Sequence, residues 1–219
     1  MNPAPQISPR FTRYSEAELP TEYGIFKVVV YREAETGAEH CAMVKGDIRG
    51  AHDVLTRVHS ECLTGEVFHS LKCDCREQLD MGFRRIAERG VGVVLYLRQE
   101  GRGIGLGNKI HAYDLQSRGA DTVDANTMLG FEPDLRSYGI ATKMLDDLGV
   151  ASVVLMTNNP AKVDALVDDG VKVTRRENHH APPNENNRHY LETKRARMGH
   201  HLDHLEDDGR HDLVELDAE

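Results

Sequence analysis

The chain has 219 residues, 39% hydrophobic and 29% charged, a balance that excludes a disordered polyelectrolyte and allows one substantial core or two small ones packed together. Its sequence has no apolar run long enough for a bilayer, and Met1 to Tyr14 lack the apolar segment of a secretory leader, so a cytoplasmic protein with no membrane partner is expected. The net charge is −9, but His201 to Glu219 hold eight acidic residues and one basic (−7), which leaves −2 for the other 200 residues: a local basic pocket is compatible with this count, and the broad basic surface of a nucleic-acid binder is not evident.

In chain order, residues 1–18 are rich in Pro and polar side chains and read as a flexible lead-in. Phe26 to Tyr31 and Cys41 to Val44 read as strands, and Val54 to Val58 as a third. Leu79, Phe83 and Ile86 recur at helical spacing, with Gly90 as the stop. Val91 to Leu97 is nearly continuous in apolar residues, as in a strand covered on both faces. A Gly-rich loop, Glu100 to Gly107, leads to a helix over Asn108–Arg118, and another helix covers Tyr138–Leu148, ending at Gly149. Ser152 to Met156 reads as a buried strand, Thr157-Asn-Asn as a turn, and Pro160 as the first residue of a helix through Leu166. After Gly170 the chain returns as a strand at Val171–Thr174. A last helix is expected from Tyr190 to about Leu205, and the acidic, His-containing tail, taken as residues 201–219, is expected to be disordered. Strands alternating with helices imply an α/β fold on a mixed or mostly parallel sheet, with no internal repeat.

Three of the four cysteines, Cys62, Cys73 and Cys75, fall within fourteen residues as C-x10-C-x-C. In a cytosolic chain this favours metal ligation or catalysis over disulfides. Three thiolates can hold Zn2+ and leave one tetrahedral position for water, the arrangement of a catalytic site. The spacing equally fits a closed site with His59 or His69 as fourth ligand, and Cys73 and Cys75 could also be small core residues. Cys41, far off in an apolar strand, reads as core.

The words around these cysteines are more specific. Arg57-Val-His-Ser-Glu-Cys-Leu-Thr-Gly65, Cys73-Asp-Cys75 and Gln78-Leu79 closely resemble the zinc-binding region of the GTP cyclohydrolase II family. Arg98 to Leu106, with Asn108-Lys-Ile110 and Ala112-Tyr113, is similar to its second signature, and Thr157 to Pro160 with Lys162 to its third. Asn184, Asn187, Tyr190-Leu191, Thr193-Lys194 and Met198-Gly199-His200 complete a likeness over residues 19–200. The resemblance implies a three-layer α/β fold and an enzyme that converts GTP into formate, pyrophosphate and 2,5-diamino-6-(5-phosphoribosylamino)pyrimidin-4(3H)-one, the first committed step of riboflavin synthesis. It also implies one zinc per subunit on Cys62, Cys73 and Cys75, Mg2+ with the triphosphate, and a homodimer.

The same likeness assigns roles. Tyr113 would lie near the opening ring, where its hydroxyl can relay a proton; by itself a helical Tyr is more often packing. Asp134 and Arg136 match the family's proton acceptor and nucleophile. Arginine stays protonated in proteins, so clamping phosphate charge is the competing role for Arg136, and an exposed ion pair the plainest reading of the two. Nucleotide binding falls to Arg57, Val58, His59, Ser60, Glu61, Gln78, Glu100, Gly101, Arg102, Thr122, Thr157 and Lys162. Arg57 and Arg102 can fork onto phosphate oxygens, Thr157 to Pro160 can offer a helix N-terminus to an anion, and Glu100 could accept from the guanine edge. The Gly-rich loop alone would be weak support.

Arg76 stands where the family has Gly, so a strained turn beside the thiolates is expected if that residue has positive φ. The dihydroxybutanone-phosphate synthase domain of some relatives is lacking, so a single activity is expected. Rival readings are a variant that stops at the formamide or takes a modified purine nucleotide, and a non-catalytic, zinc-stabilised nucleotide-binding module.

Overall fold

Val54–Ser60, Gly92–Leu97 and Val153–Met156 are short, largely apolar runs, and each forms a strand buried on both faces. A computed structural model describes residues 11–118, 122–132 and 134–202. Its strands are β1 (Phe11–Thr21), β2 (Gly24–Glu33), β3 (Glu39–Lys45), β4 (Val54–Ser60), β5 (Gly92–Leu97), β6 (Val153–Met156) and β7 (Val173–Glu177). Its helices are α1 (Leu63–Glu66), α2 (Cys75–Arg89), α3 (Gly105–Ser117), α4 (Thr122–Met128), α5 (Gly139–Leu148), α6 (Pro160–Asp168) and α7 (Arg188–Met198).

The strands form one mixed sheet in the order β1-β2-β3-β5-β4-β6-β7. Pairing is antiparallel from β1 through β5 and parallel across β5, β4, β6 and β7. Because strand side chains alternate between faces, each central strand feeds two cores. Val58, Val93, Leu95, Val153 and Leu155 pack with Ala141, Met144, Leu145 and Leu148 of α5 and Leu166 of α6. Leu55, Val94, Val154 and Met156 turn the other way, toward Phe26, Ile86 and the Leu79 and Phe83 side chains of α2. Helix, sheet and helix make three layers, as expected.

The helix ends follow local chemistry. Gly90 and Gly149 terminate α2 and α5 in the left-handed conformation (φ 76° and 72°), where a side chain would be strained. Asn159 caps α6, its side chain accepting from the Ala161 amide at 3.0 Å, with Pro160 in the first turn.

Four expectations need correction. The lead-in over residues 1–18 is ordered from Phe11 onward: β1 pairs with β2 from Phe11↔Glu33 to Thr21↔Gly24. Nearly all of β1 is exposed, so it carries no burial pattern that a sequence could display. The last helix stops at Met198, because Gly199 takes φ 63° as its cap. Of the tail, Leu202 is buried and the exposed His201 donates its amide to the Asn158 carbonyl at 2.9 Å; residues 203–219 lie outside the described residues. Arg76 is helical within α2 and is not among the positive-φ residues, so no strain arises there. Its guanidinium reaches His69 Nδ1 at 2.6 Å and Asp80 at 3.7 Å. No helix among the described residues is long and apolar enough to cross a membrane.

Candidate active site

The parallel strands β4, β5 and β6 all end on one side of the molecule, and a crevice outside the carboxyl ends of such strands is where α/β sheets bind ligands. Immediately after β4 comes Cys62, which precedes α1, and α2 begins at Cys75 with Cys73 just before it. The three sulfurs lie within 4.8 Å of one another, and Cys62 and Cys73 are 3.7 Å apart. A tetrahedral zinc with bonds of about 2.3 Å separates its sulfurs by about 3.8 Å, so the donor set fits that ion. Neither His59 nor His69 belongs to the sulfur group. His59 Nε2 is held by Glu66 at 2.8 Å, and His69 contacts Arg76. Cys41 lies apart on β3, half-buried.

Gly65 makes the convergence possible. A Cβ there would stand 2.9 Å from Cys73 Sγ, 3.3 Å from Cys62 Sγ and 3.4 Å from Cys75 Cβ. The Cys62 thiol is held well below its usual range by hydrogen bonds from Cys73 and Cys75 and by the Lys109 ammonium, 3.1 Å away. Ionising one sulfur raises the cost of ionising the next: hydrogen bonding to Cys62 pushes Cys73 up to about 11, and Cys75 rises as well. A bound cation would offset that mutual repulsion.

Above the sulfurs opens a cleft lined by all three cysteines and by most of the residues expected to bind nucleotide. Arg57, His59, Ser60, Glu61, Gln78, Glu100, Gly101, Arg102, Thr157 and Lys162 line it, with Tyr113 and Arg136. Val58 and Asp134 do not. Val58 contributes its carbonyl, which accepts from Lys162 Nζ at 2.8 Å, and Asp134 grips Arg136 Nε at 2.8 Å. Thr122 heads α4, and its side chain lies outside the described residues.

Six cationic side chains enter this cleft. Lys109 is paired with Glu100 (2.7 Å), Arg136 with Asp134 (2.5 Å) and Lys194 with Asp74 (3.2 Å). Arg57, Arg102 and Lys162 form no ion pair among the described residues. Arg57 donates to the Met156 carbonyl (2.9 Å) and to Gln78 (2.5 Å), while its Nε has no partner. Burial lowers it to about 10. Arg102 holds φ 62° between Gly101 (φ 64°) and Gly103 (φ 93°), and both terminal nitrogens are buried without a partner. A non-glycine residue in that region is sustained by its surroundings and commonly marks a functional site. Lys162 is driven well below its usual value by burial and then by the nearby Arg57 and Arg136 charges.

Several expected details change. The Glu100 oxygens already accept from the Leu63 amide (2.7 Å), the Gly101 amide (2.8 Å) and Lys109, so much of its acceptor capacity is committed within the protein. At the start of α6, the Asn159 and Ala161 amides are satisfied by the Thr157 hydroxyl and the Asn159 side chain, so they are not open to an anion. Burial works against the Arg136 charge, but its bonds to Asp134 hold it above its ordinary value, firmly protonated. Tyr113 lies under Lys109 and Lys72, and burial pushes its hydroxyl up to about 12. Lys109, Tyr190 and Lys194 also line the cleft and were not singled out by sequence. Each stood inside a quoted motif, but only the fold shows which way it points.

Fold and site together define an α/β protein with a three-sulfur candidate metal centre at the base of a cationic pocket. A family model, GTP cyclohydrolase II, matches residues 12–178. A GTP cyclohydrolase-2 from Teredinibacter turnerae is 49% identical over 187 residues, 85% of this chain and 94% of its own. That of Actinobacillus succinogenes is 48% identical over 195 residues, 89% of this chain and 90% of its own. A riboflavin biosynthesis protein RibBA from Endomicrobium trichonymphae is 51% identical over 185 residues, 84% of this chain, which spans only 46% of that longer protein. The chain belongs to the GTP cyclohydrolase II family.

Proposed function

We propose that the protein is a hydrolase acting on GTP in riboflavin biosynthesis, opening the imidazole ring at C8 and releasing formate and pyrophosphate to leave 2,5-diamino-6-(5-phosphoribosylamino)pyrimidin-4(3H)-one. The observation that carries this reading is the pairing of three convergent sulfurs with three cations, Arg57, Arg102 and Lys162, that form no ion pair among the described residues. Buried cationic groups in that condition are costly unless an anion completes them, and a triphosphate, accompanied by Mg2+, is an anion of suitable charge.

Cys62, Cys73 and Cys75 would hold one zinc, and His59 Nε2 and His69, engaged by Glu66 and Arg76, stand outside that donor set. Zinc so held supplies Lewis-acid chemistry that makes water nucleophilic near neutral pH. Arg57, Arg102 and Lys162 bind and orient the polyphosphate. Arg136, fixed by Asp134, stabilises charge at the phosphorus that releases pyrophosphate, and its firm protonation favours this clamp over attack as a nucleophile. Tyr113 keeps its proton at neutral pH and can donate it to a nitrogen of the opening ring. The protein would act in the cytoplasm as a homodimer, with no nucleic acid or membrane partner.

The direct test is incubation of purified protein with GTP and Mg2+, followed by ultraviolet spectra and assays for formate and pyrophosphate. Wild type is expected to release both, and Cys73→Ser to lose zinc and formate release together. A metal-free protein that still releases formate, or a zinc-loaded one that binds GTP and leaves its ring closed, would overturn the reading.

A further inference from the structure

The family match ends at residue 178, yet the cleft is completed by α7, which brings Tyr190 and Lys194 to its wall. This helix is anchored independently of its charges. Leu191 is buried at 1% exposure and Leu202 at 2%, and the His201 amide binds the Asn158 carbonyl. The Asn158 side chain in turn exchanges two hydrogen bonds with the His179 backbone, at 2.7 and 2.8 Å.

Lys194 crosses from α7 to Asp74, the residue between two of the three sulfurs. The pair is 3.2 Å apart, with only 13% and 3% of the two side chains exposed. Asp74 occupies the N-cap position of α2, where an aspartate ordinarily accepts from its own helix's amides. Here it makes no side-chain cap hydrogen bond. Its carboxylate is spent on Lys194 and on Gln78, which also receives Arg57 NH2. A chain of polar contacts thus runs from α7 through the sulfur loop to a phosphate-binding candidate on β4.

We infer that Lys194 is a positioning residue that acts through Asp74 to fix the spacing of Cys73 and Cys75, so that the C-terminal helix α7 sets how tightly the sulfur loop holds its metal. This rests on the reading of the three cysteines as zinc ligands. A carboxylate this deeply buried cannot stay charged without its cation. Removing the ammonium leaves the buried Asp74 carboxylate without its partner across the loop and frees the side chain to turn toward solvent, which moves the backbone that carries the two thiolates. Loss of a partner that orients a metal ligand typically costs about 10–100-fold in metal affinity.

The test measures zinc release to a coloured chelator from purified holoprotein, beside kcat and KM for GTP. Lys194→Met should release zinc about 10–100-fold faster than wild type, and Lys194→Arg should restore most of the retention. Asp74→Asn needs no cation, so adding Lys194→Met to it should change the release rate by less than about threefold. This charge-neutral double variant also keeps the test open if Lys194→Met alone folds poorly. Release at the wild-type rate with a raised KM would make Lys194 a nucleotide ligand instead and overturn the inference, as would fully multiplicative effects of the two substitutions. Wild-type protein purified without zinc would instead sink the metal reading itself, and that is seen before any variant is made.

Discussion

Gly65→Ala perturbs the candidate metal centre through one methyl group. The added Cβ would lie 2.9 Å from Cys73 Sγ and 3.3 Å from Cys62 Sγ. Ordinary carbon–sulfur contact needs about 3.6 Å, so a sulfur must retreat by roughly half an ångström or the backbone of α1 must lift. Metal sites tolerate deviations of only about 0.2 Å in ligand distance. A thiol bound to nothing can rotate away, whereas a ligating sulfur cannot, so the strain falls on metal binding more than on folding. Overpacking of this size costs about 1–3 kcal/mol, which at about 1.4 kcal/mol per decade is roughly 5–150-fold in zinc affinity. The measurement is zinc affinity by chelator competition, beside thermal unfolding of the metal-free protein. Unchanged affinity would refute the argument that this glycine exists to let three sulfurs meet, and so would an affinity loss matched by an equal loss of stability in the metal-free form.

Other outcomes follow from the buried charges. His179 is 1% exposed, its Nε2–H donates to the Gln78 carbonyl, and burial followed by the Arg57 charge lowers it to about 2. Its folded value lies below the unfolded one, so stability is complete above about pH 6.5 and declines as pH falls toward 2, by about 2 kcal/mol at pH 5. Urea midpoints of metal-free His179→Gln should lose that part of the slope; an unaltered slope would count against it. Lys162 is depressed by burial and by Arg57 and Arg136, and a polyanion bound beside it should raise it again. Calorimetric binding enthalpies for a non-hydrolysable GTP analogue should then vary with buffer ionisation enthalpy in the direction of proton uptake, and Lys162→Met should abolish the dependence. Arg136→Ala should slow pyrophosphate release about 100–1000-fold, with Arg136→Lys only partly active because one ammonium cannot reproduce a fork. A guanylyl adduct on Arg136 of wild type, seen as a mass shift, would replace the clamp with a nucleophile.

The central strands and their helices were legible because burial writes itself into sequence. Val93, Leu95, Val153 and Leu155 recur with a period of two, and Ala141, Met144, Leu145 and Leu148 with the helical period, each against a single core. β1 was not legible, since a strand held by pairing to β2 with its side chains in water needs no hydrophobic period. The spacing of the cysteines pointed to a candidate metal site but left His59 open as a fourth ligand, and only the third dimension shows that Glu66 holds His59. Arg76 misled for a related reason: a glycine in relatives implies a backbone requirement, and here the residue lies in the first turn of α2, where any side chain fits. The surroundings of Glu100 were not legible either, because a carboxylate in a nucleotide motif does not reveal that three donors of its own chain already bind it.

The cleft also resolves the apparent conflict between a net charge of −9 and an anionic ligand. Net charge governs long-range behaviour, and it is screened beyond about 8–10 Å at physiological salt. Binding is decided within a few ångströms, where the sheet sets the pattern. Its parallel half ends β4 and β6 side by side, so Arg57 near the end of one and Lys162 just past the other share one wall. The left-handed turn at Gly101 and Arg102 adds a second guanidinium from the end of β5. Three further cations are answered by Glu100, Asp134 and Asp74, so these acids are matched one to one and do not cancel the charge of the other three. They fix which cations are scaffolding and, on the proposed function, leave Arg57, Arg102 and Lys162 to be completed by the ligand. An acidic protein can therefore hold a polyanion, provided its carboxylates are committed before the ligand arrives.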